Sequence, residues 1–117
     1  MNSVTYEKSL RFSVRIVRLY QFLRSEKREY VMSRQLLRCG TSIGANISEA
    51  QNAISKNDFL NKMHISLKES AETMYWLDLL YQTDYLSPKQ YQSIYTDCME
   101  LHRLLSSITK TTRESLE

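Results

Sequence analysis

Turn-forming residues are scarce in this chain: its 117 residues include one proline and two glycines. A fold built only of strands needs a turn at the end of each strand, so this scarcity argues against an all-β protein. Leucine, arginine, lysine, glutamate, glutamine, methionine and serine together make up more than half of the chain, a composition that suits helices. The sequence therefore predicts an all-α protein. Its length fits one domain, residues 1–117, with a hydrophobic core of its own.

Long apolar runs are also missing. No run approaches the roughly 18 residues that span a bilayer, and the first residues lack the apolar segment of a secretory signal. The two cysteines, Cys39 and Cys98, do not follow the spacing of a disulfide-rich scaffold. These three features lead us to expect a cytoplasmic protein with reduced thiols.

The motifs of the common enzyme classes are absent as well. There is no phosphate-binding glycine loop, no HExxH pair and no nucleophile elbow, so we expect no enzyme, although a Ser–His pair from distant helices is conceivable. His102 follows Cys98 by four residues, as two metal ligands could. A zinc site would also need Cys39 and His64. Because a cysteine on an apolar row is more often a core residue, we expect no metal or cofactor.

Both glycines, Gly40 and Gly44, lie within the stretch from Leu36 to Ile54. Small and apolar residues recur there at offsets of three and four, which places them on one face of a helix. Each glycine costs a helix about 1 kcal/mol relative to alanine. We expect the close approach of a neighbouring helix to recover that cost.

Apolar residues at helical spacing, separated by three short polar breaks, predict four amphipathic helices. The predicted spans are residues 5–23, 33–54, 58–82 and 88–110, and we expect the tail from Thr111 to fray. Leu10 and Val17 widen the apolar face of the first helix. Short connections favour neighbours that run in opposite directions, so we predict an antiparallel up-down-up-down four-helix bundle.

Positive charge is concentrated in the first third of the chain. Residues 1–40 hold nine lysines and arginines against three glutamates, a balance of +6, whereas the remaining residues have a balance of −3. Such a surface could contact the phosphates of RNA or DNA without reading base sequence. It could equally be a solvated helix face with ion pairs. The candidate nucleic-acid-binding residues are Lys8, Arg11, Arg15, Arg18, Arg24, Lys27, Arg28 and Arg34.

A polar row follows the other face of the second helix. We interpret it as a buried polar network that fixes helix register or a subunit interface, with a ligand site as the alternative. Glu69 and Glu72 of the third helix are its candidate partners. The row consists of Arg38, Ser42, Asn46 and Glu49.

A second apolar row on the third helix contains Ile65, Trp76 and Leu79. It lies about half a turn from the row that faces the core, so a monomeric bundle would leave it exposed. Exposed tryptophan flanked by aliphatic residues is typical of an interface. We therefore predict that the chain associates with itself through these three residues.

The stretch LLRCGTSIGANISEAQ, followed by SKNDFLNKMHISLKESAETMYWLDLL, resembles a bacterial four-helix-bundle family. The family is named for proteins encoded in intervening sequences of 23S ribosomal RNA genes. The ending CMELHRLLSSITKT is also similar to its last helix, although Ser66 and Ser70 stand where the family tends to have alanine. The matching motif residues are Arg38, Thr41, Ser42, Ile43, Asn46, Ile47 and Glu49, with Phe59, Leu67, Lys68, Glu69, Glu72, Thr73, Tyr75, Trp76 and Leu77.

The resemblance implies a four-helix bundle that assembles as a ring-like homopentamer. It also implies kinship with the accessory proteins of diversity-generating retroelements, which bind nucleic acid and a reverse transcriptase. Two functions follow as expectations. One is a non-enzymatic bundle that binds RNA or DNA through its basic surface. The other is a protein-interaction scaffold, or an accessory subunit for a partner such as a reverse transcriptase.

Overall fold

Four helices make up the protein in a computed structural model, which describes residues 3–117. The first two residues of the predicted domain lie outside this range. No strand occurs within it, so the prediction of an all-α protein with four helices is confirmed. None of the four is both long enough and apolar enough to cross a membrane. The helices are α1 (Ser3–Ser25), α2 (Met32–Ala50), α3 (Lys56–Gln82) and α4 (Pro88–Leu116).

Helix α2 ends at Ala50, whereas we predicted its end at Ile54. Ile54 and Ser55 instead form hydrogen bonds with Asp58 at the start of α3. The Ser55 hydroxyl accepts a hydrogen bond from the Asp58 amide at 3.0 Å, which caps α3. The Asp58 carboxylate in turn accepts from the Ile54 amide at 3.2 Å. Ile54, which we expected on the buried face, is 94% exposed.

Helix α4 continues to Leu116, past the predicted end at Lys110, so the expectation that the tail frays from Thr111 is wrong. Thr109 is buried and carries the packed face of α4 beyond the apolar row. Helices α1 and α3 each begin two residues before their predicted starts. Helix ends are therefore the least accurate part of the prediction.

Each helix packs against the next helix along the chain, and α1 also contacts α4, more sparsely. The largest fully buried side chains come from all four helices and form one core. They are Ile16, Leu23, Leu36, Ile43, Ile47, Met63, Leu77, Leu80, Leu101 and Leu105.

The face that α1 buries is centred on Ser9, Phe12 and Ile16. Leu10 lies beyond the edge of this face and is 51% exposed, so its assignment to the core is wrong. Val17, assigned with it, is half-buried. Small serines face α2 here, which turns Leu10 outward.

The two glycines of α2 are where α1 comes closest. A Cβ atom on Gly40 would lie 2.8 Å from Cγ1 and from Cγ2 of Ile16. A Cβ atom on Gly44 would lie 3.0 Å from the Ser13 hydroxyl oxygen. Real Cβ atoms do not approach other atoms as closely as the first of these distances, so the prediction of a close helix approach is confirmed.

Helix α3 buries hydroxyl groups in the middle of the bundle. The Ser66 hydroxyl donates to the Ile43 carbonyl of α2 at 2.8 Å, and the Thr73 hydroxyl donates to the Glu69 carbonyl at 2.8 Å. Throughout the described chain, every buried side-chain nitrogen or oxygen has a hydrogen-bond partner. These short side chains therefore fill the interior without an unsatisfied polar group.

Candidate nucleic-acid interface

The predicted basic residues divide into a group along α1 and a group around the connection to α2, and two cations of the first group are already paired. The Lys8 ammonium lies 3.0 Å from a Glu100 carboxylate oxygen, and the Arg15 guanidinium lies 2.6 Å from Asp97. Arg15 also donates to the Ser93 hydroxyl at 2.9 Å. Both cations thus connect α1 to α4, and phosphate binding would have to compete with these contacts.

Two further cations of α1 lie on its exposed face. The Arg18 guanidinium donates to the Gln21 side-chain oxygen at 3.2 Å. Arg11 lines a cleft that also includes the acidic residues Asp97 and Glu100, although it forms no ion pair with a described carboxylate. Acidic neighbours reduce the positive potential around Arg11, so it is a weaker phosphate ligand than its exposure alone would suggest.

The second group surrounds the connection between α1 and α2, and we name it the basic turn: Arg24, Lys27, Arg28 and Arg34. Three of these four side chains are exposed, and Arg24 is half-buried. None of them forms an ion pair with any carboxylate in residues 3–117. Of the six predicted cations without an ion pair among the described residues, four therefore lie here, and Arg11 and Arg18 are the other two.

Backbone geometry and one buried carboxylate fix the basic turn. Arg28 adopts a left-handed conformation with φ of 52°, which reverses the chain after α1. The Glu29 carboxylate then accepts from the amides of Val31, Met32 and Ser33 at 3.0, 2.9 and 2.7 Å. It thereby satisfies three of the amides at the start of α2, which have no partner within the helix.

The Glu29 carboxylate bonds to backbone amides at the start of α2 and forms no ion pair with a cation of the basic turn. Burial alone would raise the pKa of this carboxyl group, but the three backbone amides outweigh burial and hold its pKa below the ordinary value. Glu29 is only 7% exposed, which leaves Glu26 as the one exposed acid of the connection. Cations therefore dominate the solvent-facing side of this turn.

Two tyrosines lie beside the basic turn. The guanidinium carbon of Arg24 is 5.4 Å from the centre of the Tyr20 ring and 5.1 Å from that of Tyr30. These distances are typical of cation–π contacts. With Gln21 and Ser25, the three residues line an open cavity of about 440 Å³. Sequence analysis did not assign Tyr20 or Tyr30 to the site. The available signals are that both flank a basic connection and that Tyr20 precedes Arg24 by four residues, which makes the two neighbours on a helix.

The predicted polar network on α2 and α3 is divided into separate contacts at the surface. Arg38 forms ion pairs with Glu69, at 3.5 Å, and with Glu72, which also accepts from the Trp76 indole at 3.0 Å. The Arg38 side chain is 52% exposed, so the expectation of a buried network is wrong. The close packing of α2 on the short side chains of α3 leaves this long side chain at the rim.

The remaining members of the predicted network do not reach Arg38. The Asn46 amide donates to the Ser42 carbonyl at 2.8 Å and to its hydroxyl at 3.1 Å. Glu49 forms an ion pair with Lys62 at 3.1 Å and forms none with Arg38. The six residues therefore form three local groups.

The predicted oligomer interface is only partly exposed in the single chain. Ile65, Trp76 and Leu79 are each half-buried, so this row keeps part of its surface exposed, and its role in self-association stays a prediction. The Trp76 ring packs against the core and meets the Tyr75 ring edge-on, with centroids 5.1 Å apart. Tyr75, at 57% exposed, is the residue that faces solvent on this side.

The structure brings together one Ser–His pair, Ser70 of α3 and His102 of α4, at 2.8 Å. The Ser70 hydroxyl is also 2.6 Å from the Leu67 carbonyl, which can only accept, so this carbonyl competes with His102 for the single hydroxyl proton. The contact between Ser70 and His102 links α3 to α4.

The two cysteines are fully buried. Burial raises the pKa of Cys39 to about 11 and that of Cys98 to about 12, so both thiols stay protonated at neutral pH. No group of three or more histidine, cysteine, aspartate or glutamate side chains with the geometry of a metal site occurs in the described part of the chain.

Comparisons with known proteins agree with the resemblance in the sequence. The model of the family described as 23S rRNA-intervening sequence protein matches residues 1–107. A crystal structure of a protein with unknown function from the S23 ribosomal protein family of Bacteroides thetaiotaomicron has 57% sequence identity and a TM-score of 0.89. The similarity covers 91% of this chain and 98% of that chain. No curated protein matches the sequence. The matched range covers nearly the whole sequence, and the chain therefore belongs to the family of 23S rRNA-intervening sequence proteins.

Proposed function

We propose that this protein is a non-enzymatic helical bundle that binds nucleic acid through the phosphate backbone, and that the basic turn is the binding surface. The observation that supports this proposal is the difference between the two groups of cations. Lys8 and Arg15 have carboxylate partners on α4, whereas the four cations of the basic turn have none among the described residues.

A cation without a carboxylate partner can bind a phosphate without first breaking an ion pair. Neutralised phosphates release counterions, so affinity falls with added salt in proportion to the number of contacts. A paired cation contributes less, because its carboxylate competes with the phosphate. The contrast therefore predicts that Lys27 and Arg28 contribute more to binding than Lys8 and Arg15 do.

The assembly is part of the proposal. Contacts such as Gly40 with Ile16, Lys62 with Glu49, and Ser70 with His102 support an antiparallel up-down-up-down bundle. The family resemblance favours a ring-like homopentamer, in which the basic turn would be repeated and avidity increased. Light scattering should then give five times the chain mass of 13.8 kDa, and the chain mass itself would contradict the ring.

A titration of fluorescence anisotropy with a labelled 15-nucleotide oligothymidylate, repeated across salt concentrations, tests the function. The variant Lys27→Gln with Arg28→Gln should bind at least tenfold more weakly at low salt. Its slope of log affinity against log salt should be smaller by about 1.4, because two phosphate contacts are lost.

The double variant Lys8→Gln with Arg15→Gln is the matched control, since it removes the same number of charges from paired positions. It should retain most of the affinity once circular dichroism confirms that it folds. Equal losses from both variants would show that net charge alone controls binding. Absence of binding by the unaltered protein at low salt would refute the proposal.

A protein-interaction scaffold is the second candidate, and the exposure of Tyr75 favours it. Tyr75, Asp78, Leu79 and Gln82 line a shallow cleft on α3, and the ring of Tyr75 is 57% exposed. The retroelement resemblance suggests a reverse transcriptase as the partner. Purified partner should bind after nuclease treatment and lose binding on Tyr75→Ala; loss on nuclease treatment alone would favour the nucleic-acid function.

A further inference from the structure

The cavity beside the basic turn combines flat side chains with positive charge. Tyr20, Arg24 and Tyr30 contribute two aromatic rings and one planar guanidinium group. We infer that this cavity binds the bases of single-stranded nucleic acid by stacking, while the cations of the basic turn hold the flanking phosphates. This inference rests on the proposed function and specifies the form of nucleic acid that is bound.

Stacking requires access to the face of a base. In a duplex both faces of each base are covered by neighbouring base pairs, whereas in a single strand they can be exposed. Tyrosine rings and arginine guanidinium planes are the surfaces on which proteins commonly stack such bases. The cavity is open and has a volume of about 440 Å³, which lies within the usual range for small-ligand sites. It therefore suits an extruded base better than a duplex.

The two tyrosine rings are held at defined positions before any ligand arrives. Tyr20 lies on α1, and Tyr30 follows Glu29, whose carboxylate is bonded to three amides at the start of α2. The contacts of Arg24 with both rings join the end of α1 to the connection that precedes α2. A site that is ordered in advance loses less conformational entropy on binding.

Polar groups at the cavity could bond to base edges. Gln21 accepts a hydrogen bond from Arg18 through its side-chain oxygen, which leaves its amide nitrogen as a donor. The Ser25 hydroxyl also lines the cavity. Such groups can bind the edges of different bases, so we expect stacking without strong sequence preference.

Three probes of 15 nucleotides separate stacking from phosphate binding: oligothymidylate, an abasic strand with the same phosphates, and an oligothymidylate–oligoadenylate duplex. The unaltered protein should bind oligothymidylate about tenfold more tightly than the abasic strand. It should also prefer oligothymidylate to the duplex. A fourth probe, oligouridylate of the same length, shows whether the protein prefers RNA or DNA. Tighter binding of either oligothymidylate or oligouridylate than of the abasic strand supports the inference.

Tyr30→Leu should reduce the affinity for oligothymidylate to that for the abasic strand and leave abasic binding unchanged. Tyr75→Leu is the matched control, because Tyr75 is similarly exposed but lies outside the cavity. Tyr20→Leu provides a second test that leaves every charge in place: it should weaken oligothymidylate binding and leave abasic binding unchanged, because Tyr20 lines the cavity but is not one of the phosphate-binding cations.

The outcomes distinguish the inference from the proposed function. Equal affinity for oligothymidylate and the abasic strand, or a Tyr30→Leu variant that keeps the full difference, would overturn stacking while phosphate binding still stands. Failure of all probes to bind at low salt would overturn both. Tighter binding of the duplex than of either single strand would also overturn the inference.

Discussion

Helix α1 meets its two neighbours in different ways. Against α2, Ile16 packs onto Gly40 and serines pack onto Gly44, with no ion pair across this seam in the described residues. Against α4, Lys8 and Arg15 form ion pairs with exposed carboxylates. This second seam also leaves an open cavity of about 450 Å³, lined in part by apolar side chains of both helices.

The two seams of α1 therefore have different roles. The α2 seam contributes to the stability of the fold, and the α4 seam determines which cations of α1 are paired. Close packing of buried side chains contributes more to the free energy of unfolding than exposed ion pairs do. The α4 seam instead pairs Lys8 and Arg15 with carboxylates, and the basic turn is then the largest group of predicted cations without such partners in residues 3–117. Both groups of cations look alike in the sequence, and only their neighbours separate them.

The largest expected effect comes from the α2 seam. Ile16→Ala should lower the free energy of unfolding by about 2–5 kcal/mol, because Ile16 is fully buried. Gly40→Ala should also destabilise the unaltered protein, since overpacking typically costs about 1–3 kcal/mol and exceeds the gain in helix propensity. Urea unfolding at pH 7 measures both changes.

The combination of these two substitutions tests the cause. Ile16→Ala removes the three atoms that a Cβ on Gly40 would meet, so in that background Gly40→Ala should stabilise by about 1 kcal/mol. Gly44→Ala is the control and should change stability by less than Gly40→Ala, because a single serine hydroxyl is its closest neighbour. The same sign of the Gly40→Ala effect in both backgrounds would contradict the packing argument.

An intermediate effect is expected where α1 turns into α2. Glu29→Gln should destabilise the protein by about 1–2 kcal/mol at pH 7, because a charged group that accepts three amide hydrogen bonds is lost. The pKa of Glu29 is lowered in the folded protein, so the unfolded chain takes up the proton first as the pH falls.

The stabilisation by Glu29 is therefore complete above the ordinary pKa of 4.5 and is lost as the pH falls through the lower pKa of the folded protein. Urea unfolding between pH 7 and pH 3 should show the gap between the unaltered protein and Glu29→Gln closing. Glu26→Gln, at an exposed acid of the same connection, should change stability little at any pH. A Glu29→Gln gap as large at pH 3 as at pH 7 would contradict the assignment.

The smallest effect is expected at the α4 seam. A double-mutant cycle with Arg15→Gln and Asp97→Asn should give a coupling of about 0.2–1 kcal/mol, since both side chains are more than one-third exposed. The coupling should fall in high salt, where exposed charges are screened. A coupling of several kcal/mol would mean that the α4 seam is as important for stability as the α2 seam.

The fold was predictable because its determinants are local and periodic. Apolar spacing located four helices, and Gly40 with Gly44 predicted the closest approach before its partner helix was known. The end of α2 was missed because Ile54 has the spacing of a core residue, whereas a cap formed by Ser55 and Asp58 directs the chain away. Whether a helix continues along an apolar row or ends before the cap of the next helix depends on backbone geometry. The spacing of apolar residues does not specify that geometry.

The candidate site was only partly predictable. The basic residues of the first third were visible, but the carboxylates that pair with Lys8 and Arg15 lie about 80 to 90 residues away along the chain. Tyr20 precedes Arg24 by one turn of α1, whereas Tyr30 reaches the same arginine only across the left-handed turn at Arg28. Contacts between residues far apart in sequence, or across a turn, require the folded chain.

The short connection between α2 and α3, with Ile54 almost fully exposed, has a practical consequence. Surface connections of this kind tolerate added length at a small entropic cost. A fluorescent reporter or an affinity tag grafted after Asn52 would avoid both the packed seam and the tyrosine cavity. The same graft between α1 and α2 would separate Glu29 from the amides that it holds.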